Sequence, residues 1–124
     1  MKRILLLLSI FIASASAFAN VEIPADSATV KGVLPNGLTY YIRHNDYIPN
    51  RAAFHIAQKV GSIQETSEQR GLAHFLEHMA FNGTEHFAGK GIIEYFESIG
   101  VNFGGNINAY TSLDETVYRL SEVP

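Results

Sequence analysis

His74-Phe75-Leu76-Glu77-His78 sets two imidazoles four residues apart, with a carboxylate three residues beyond the first. Residues i and i+4 of a helix lie one above the other, so His74 and His78 share a face and Glu77, at i+3 from His74, borders it. The order His-x-x-Glu-His reverses the better-known His-Glu-x-x-His zinc pattern and supplies the same three groups from one helix. A catalytic zinc takes three protein ligands and leaves its fourth position to a water, whose pKa it lowers to about 7. A carboxylate beside the metal, but not bound to it, can take the proton from that water and pass it to a leaving amine. His74 and His78 are therefore the candidate metal ligands and Glu77 the candidate catalytic base.

At this chain's own content of histidine and glutamate, such a pattern arises by chance in about one of seventy sequences, so its surroundings have to support it. Leu72, Phe75, Leu76 and Met79 fall at i, i+3, i+4 and i+7, which predicts an apolar stripe for packing. His74, Glu77, His78 and Phe81 occupy the opposite face. An ordinary solvated face would carry Lys and Glu pairs; this one carries two histidines, an acid and an aromatic. Phe81 is a candidate to line a pocket for a substrate side chain, or equally to pack on a sheet.

Outward from the helix the punctuation is regular. Residues 30–34 and 38–43 flank Pro35-Asn36-Gly37, which predicts a hairpin. Residues 52–60 read as a third strand ending at Gly61. Thr66 with Gln69 fits a capping box, residues 71–81 form the metal helix, and Asn82-Gly83 ends it. Ile92, Ile93, Phe96 and Ile99 mark a second helix closed by Gly100, and strands follow from Gly104 to Thr111 and from Thr116 to Leu120. This order predicts an α+β domain, with helices packed on one face of a mixed or antiparallel sheet.

The flanks of the helix carry a family resemblance. Gly71-Leu72-Ala73-His74-Phe75-Leu76-Glu77-His78-Met79-Ala80-Phe81-Asn82-Gly83-Thr84 resembles the active-site helix of the pitrilysin and insulin-degrading enzyme family of zinc peptidases. Asn108-Ala109-Tyr110-Thr111-Ser112, followed by Asp114-Glu115-Thr116-Val117-Tyr118, is similar to the strand segment that comes next in that family. The resemblance runs from about Thr29 to Pro124. It implies the front part of a pitrilysin-like (LuxS/metallopeptidase-type) catalytic domain holding one Zn2+, with Asn108 and Ala109 gripping a peptide by its main chain along a sheet edge.

The resemblance also implies that the third zinc ligand, a glutamate, lies beyond residue 124, and that an arginine and a tyrosine for the scissile carbonyl come from a second, related half in the same chain or a separate subunit. The function so implied is a zinc-dependent endopeptidase acting on peptides or unfolded segments. The alternative is a non-catalytic, peptide-binding or assembly subunit of the same family; a structural metal site in a binding module is a third reading. Residues 20–124 alone are expected to be inactive and poorly soluble, because two histidines hold zinc weakly and a half-built sheet exposes an apolar face.

Residues 1–19 read as a secretory signal peptide, with Lys2 and Arg3, an apolar run from Ile4 to Ile12, and Ala17-Phe18-Ala19 before the cut. Residues 20–28 read as a lead-in linker. The chain contains no cysteine, hence no disulfide framework and no lipid-anchoring thiol. Its formal net charge is −3, and removing the leader takes away two cations and no acid. That balance speaks against nucleic acid and against anionic membranes as partners. The expected location is the periplasm or cell envelope of a bacterium. His44, His55 and His86 have no second ligand-type residue at a converging spacing and read as surface or hydrogen-bonded residues.

Overall fold

The structure, a computed structural model, describes residues 24–124. The signal peptide expected over residues 1–19 and the first four residues of the expected lead-in lie outside the described residues. Two compact units divide the chain, one ending at Asn45 and one running from Asp46 to Pro124.

In the first unit, β1 (Thr29–Val33) pairs antiparallel with β2 (Thr39–Arg43), Thr29 opposite Arg43 and Val33 opposite Thr39. The turn sits where Pro35-Asn36-Gly37 predicts it: Gly37 takes a φ of 88°, which a side chain would strain, and Asn36 Oδ1 accepts the Leu38 N–H at 3.1 Å. Asp26 ties the entry to the hairpin. Its Oδ1 accepts the Ala28 N–H at 2.9 Å and its Oδ2 accepts the Arg43 guanidinium at 2.7 Å. The Ala28 N–H first, and Arg43 second, hold this carboxyl below its usual range.

The second unit is built on a fully antiparallel sheet in the order β3-β5-β4, where β3 is Ala52–Gln58, β4 is Ile107–Thr111 and β5 is Thr116–Val123. Phe54, Ile56, Tyr118, Leu120, Ile107 and Thr111 fall on one face, because Phe54 and Ile107 both oppose Leu120, Ile56 opposes Tyr118, and Thr111 opposes Thr116. A bulge between Ala52 and Phe54 is absorbed near Glu122, which adopts a φ of 57° and whose carbonyl accepts Arg51 Nη1 at 2.9 Å. The strand expected from Gly104 begins only at Ile107. Residues 102–106 close a tight loop instead, with Gly104 at φ 85° donating to the Ile107 carbonyl at 2.8 Å.

Two helices lie on the side of the face that Phe54 and Ile107 share, where Ile107 is buried and Phe54 and Ile56 remain more than half exposed. The helix α1 (Leu72–Met79) carries the histidines, and α2 (Gly91–Ser98) ends at Gly100, with Val101 fully buried just beyond it. The molecule is thus α+β, a sheet layered with helices. Ile92, Ile93 and Phe96 of α2 and Phe54, Ile56 and Leu120 of the sheet line an apolar cavity of about 320 Å³.

The orientation of α1 corrects the sequence reading. Leu72, Phe75, Leu76 and Met79, expected to be buried, are 47%, 57%, 62% and 42% exposed, whereas Ala73 and Glu77 are buried at 7% and 6%. The buried face is the one with a small side chain and with an acid that finds a donor on the sheet, the Thr111 hydroxyl. The capping box is also displaced. Gln69 does reach back to the Thr66 N–H, at 3.2 Å, but it heads a separate 3₁₀ turn, Ser67–Gln69. The start of α1 is satisfied by Glu65, whose carboxylate accepts the N–H groups of Gly71 and Ala73, each at 2.8 Å.

Candidate metal centre

Gly71, at φ 88°, turns the chain into α1, and the i, i+4 geometry then brings the two imidazoles together. His74 Nε2 and His78 Nε2 stand 3.0 Å apart, with ring centroids 4.6 Å apart. Two nitrogens bound tetrahedrally to one zinc at about 2.0–2.1 Å are separated by about 3.3 Å, so a shift of a few tenths of an ångström converts this pair into two ligands. The donor set fits the ion: two imidazoles presenting Nε2 to one point, the His74 side chain remaining 65% exposed. Among the described residues no group of three His, Cys, Asp or Glu converges to complete a metal site.

Glu77 lies next to the pair without joining it. Its Oε2 is 4.0 Å from His74 Nε2, close enough for charge to matter and too far for a hydrogen bond. The same oxygen accepts the hydroxyl of Thr111, the last residue of β4, at 3.0 Å. Tyr118 faces this corner: burial first, and the Glu77 charge second, push its phenol above the ordinary value. A carboxylate that is nearly buried, hydrogen-bonded on one oxygen and adjacent to a pair of imidazoles can exchange a proton with a water placed between them.

Phe81 follows α1 and packs edge-on against Phe103, with ring centroids 5.4 Å apart, and at an angle against Tyr118, 6.2 Å away. It also borders the apolar cavity. Asn108 and Ala109 are on β4, an edge strand of this sheet. The Asn106 carbonyl accepts from Ser121 N–H, so by alternation 106, 108 and 110 direct their main-chain groups to β5 while 107, 109 and 111 direct theirs to the open edge. The Ala109 N–H points there and is covered by the Asn108 side chain, Oδ1 at 2.9 Å.

His55, opposite Arg119 on β3, falls on the sheet face away from α1, and His86 sits in the exposed turn after it, so neither joins the pair. Two contributors were not singled out by the sequence reading: Thr111, legible only as a small polar residue on the Ile107 and Ala109 side of its strand, and Glu65, for which the sequence carries no local signal.

A short helix thus presents two histidines and a buried glutamate to the edge of an antiparallel sheet. Residues 42–123 match the model of Insulinase (Peptidase family M16), and the chain belongs to that family. It is 44% identical over 99 residues to the "Probable zinc protease PqqL" of Escherichia coli (strain K12), a stretch that is 80% of this chain and 11% of that protein. It is 48% identical over 89 residues to a "Zinc protease PQQL-like" of Arabidopsis thaliana, covering 72% of this chain and 9% of that one. Among solved structures, the first half of the periplasmic protease PqqL from Escherichia coli superposes with a TM-score of 0.77 at 44% identity, over 82% of this chain and 22% of that one. A protease from Helicobacter pylori does so with a TM-score of 0.62 at 27% identity, over 82% and 22%. The matched stretch thus spans about a tenth of the length of these two curated relatives.

Proposed function

We propose that these residues carry the metal-binding helix and the substrate-holding strand of a zinc-dependent endopeptidase that cuts peptides or unfolded segments. The observation that carries the reading is the facing pair of imidazole nitrogens, 3.0 Å apart, with the buried Glu77 carboxylate 4.0 Å from one of them. His74 and His78 would hold the Zn2+ through Nε2, together with a glutamate beyond residue 124. When bound, that ion supplies Lewis acidity and an acidified water. Glu77 withdraws a proton from the attacking water and returns it to the departing amine. An extended peptide lies along the open edge of β4, its main chain paired with Ala109, and Asn108 yields the N–H it covers or reads the peptide itself. Phe81 borders a pocket for a substrate side chain.

Export by the leader and the periplasmic relative support a location in the periplasm or cell envelope. A second pitrilysin-like half, in the same chain or another subunit, would supply the groups that polarise the scissile carbonyl. The test is cleavage of a quenched fluorescent peptide mixture by the product of the complete reading frame, with and without chelator, beside its Glu77→Gln variant. Cleavage lost to chelator, and lowered about 10²-fold or more by Glu77→Gln with zinc content retained, is the expected result. Undiminished turnover by the variant would remove Glu77 from the role of base. Tight zinc binding without cleavage would favour the peptide-binding, non-catalytic subunit.

A further inference from the structure

The structure assigns to Thr111 the positioning of Glu77, a role that rests on Glu77 being the base. Glu77 is only 6% exposed, and a carboxylate taken out of water needs donors. Among the described residues its hydrogen-bond donor is the Thr111 hydroxyl, at 3.0 Å from Oε2. The proton inventory fixes the direction of that bond. Thr111 has one hydroxyl proton and two acceptors in reach, Glu77 Oε2 and Thr116 Oγ1, the latter at 3.4 Å. The shorter bond to the charged oxygen is the stronger. Thr116, 3% exposed, spends its own proton on the Val60 carbonyl at 2.8 Å, so towards Thr111 it is an acceptor only, and its claim on the Thr111 proton is the longer and uncharged one.

The bond occupies Oε2, the carboxylate oxygen that stands 4.0 Å from His74 Nε2, and leaves the other oxygen unbound. Oε2 is pinned, while Oε1 accepts nothing from the described residues and is not sealed away, since no buried side-chain oxygen there lacks a partner. That leaves Oε1 with its lone pairs free for a proton. A β-branched side chain, restricted at χ1, is a stiff support for such a contact. Thr111 is two residues along β4 from Ala109 and directs its main chain to the same open edge. The strand proposed to hold the peptide therefore also holds the base, and the separation between the two is set within one rigid element.

Thr111→Val keeps the shape and removes the donor, whereas Thr111→Ser keeps the donor. In the product of the complete reading frame, Thr111→Val is expected to lower kcat about tenfold to a hundredfold with KM and zinc content nearly unchanged, and Thr111→Ser to stay within about threefold of the parent. Crystals of metal-free Thr111→Val are expected to show the Glu77 carboxylate displaced from its position, a readout independent of turnover. Unchanged kcat in Thr111→Val, in a preparation where Glu77→Gln is inactive, would overturn the positioning role and leave the base in place. Full turnover by Glu77→Gln would instead remove the base itself. Should Thr111→Val fold poorly, Thr111→Ala replaces it; equal losses of zinc and thermal stability in Ala and Ser variants alike would mark Thr111 as structural and overturn the inference.

Discussion

Glu65 clamps the start of the metal helix from outside it. Both of its oxygens are used, one on Gly71 N–H and one on Ala73 N–H, and these bonds, that from Ala73 foremost, hold its carboxyl below the usual value of 4.5. A depressed folded pKa contributes stability that is fully present above the unfolded value and is lost as pH falls through the folded one. The first turn of α1, and with it His74, should therefore loosen on acidification below about pH 4.5. Glu65→Gln is expected to speed amide hydrogen exchange at Gly71 and Ala73 at neutral pH and to flatten the acid dependence of the thermal midpoint. An unaltered exchange rate at both amides would show that the clamp contributes nothing. The bond pattern was not legible beforehand, since it spans six and eight residues across a turn, whereas the Thr66 and Gln69 box lies within local reach and could be read from spacing alone.

Along the elements, the hairpin, the three later strands and both helices follow from turn residues and apolar period, because those signals act between near neighbours. The facing of α1 does not. Its apolar residues outnumber the positions one neighbour can cover, so periodicity identified a stripe at Leu72, Phe75, Leu76 and Met79 without deciding whether the sheet takes it. The decision lies in contacts across the chain: the small Ala73, and the Thr111 hydroxyl 34 residues beyond Glu77. Enlarging the buried Ala73 should therefore act on stability and site together. Ala73→Leu is expected to cost about 1–3 kcal/mol in denaturant unfolding, as overpacking does, and to lower turnover by lifting Glu77 from Thr111. A variant as stable and active as the parent would mean that α1 does not bear on the sheet through this residue.

For the molecule as a whole, the helix was the readable part of the centre because its three groups lie within five residues. A third ligand contributed by a distant element leaves no local spacing to read. The described residues supply two imidazoles, the Glu77 carboxylate 4.0 Å from one of them, and no group of three converging ligand-type residues. The stretch matched in one curated relative is only 11% of that protein's length. A tetrahedral site lacking one protein ligand loses more affinity than one lacking an outer partner, whose removal already costs about 10–100-fold. Residues 20–124 produced alone should therefore bind zinc more than about a hundredfold more weakly than the product of the complete reading frame. They should also take up an apolar dye through the exposed Phe75 and Leu76 stripe and hydrolyse no peptide. Competition with a chelator of known affinity measures the first of these directly. Equal affinity in the piece and the whole would mean that these residues close the site unaided, so that the missing ligand would have to come from a rearrangement among them, with Glu77 as the nearest carboxylate and the assignment of the base then in error.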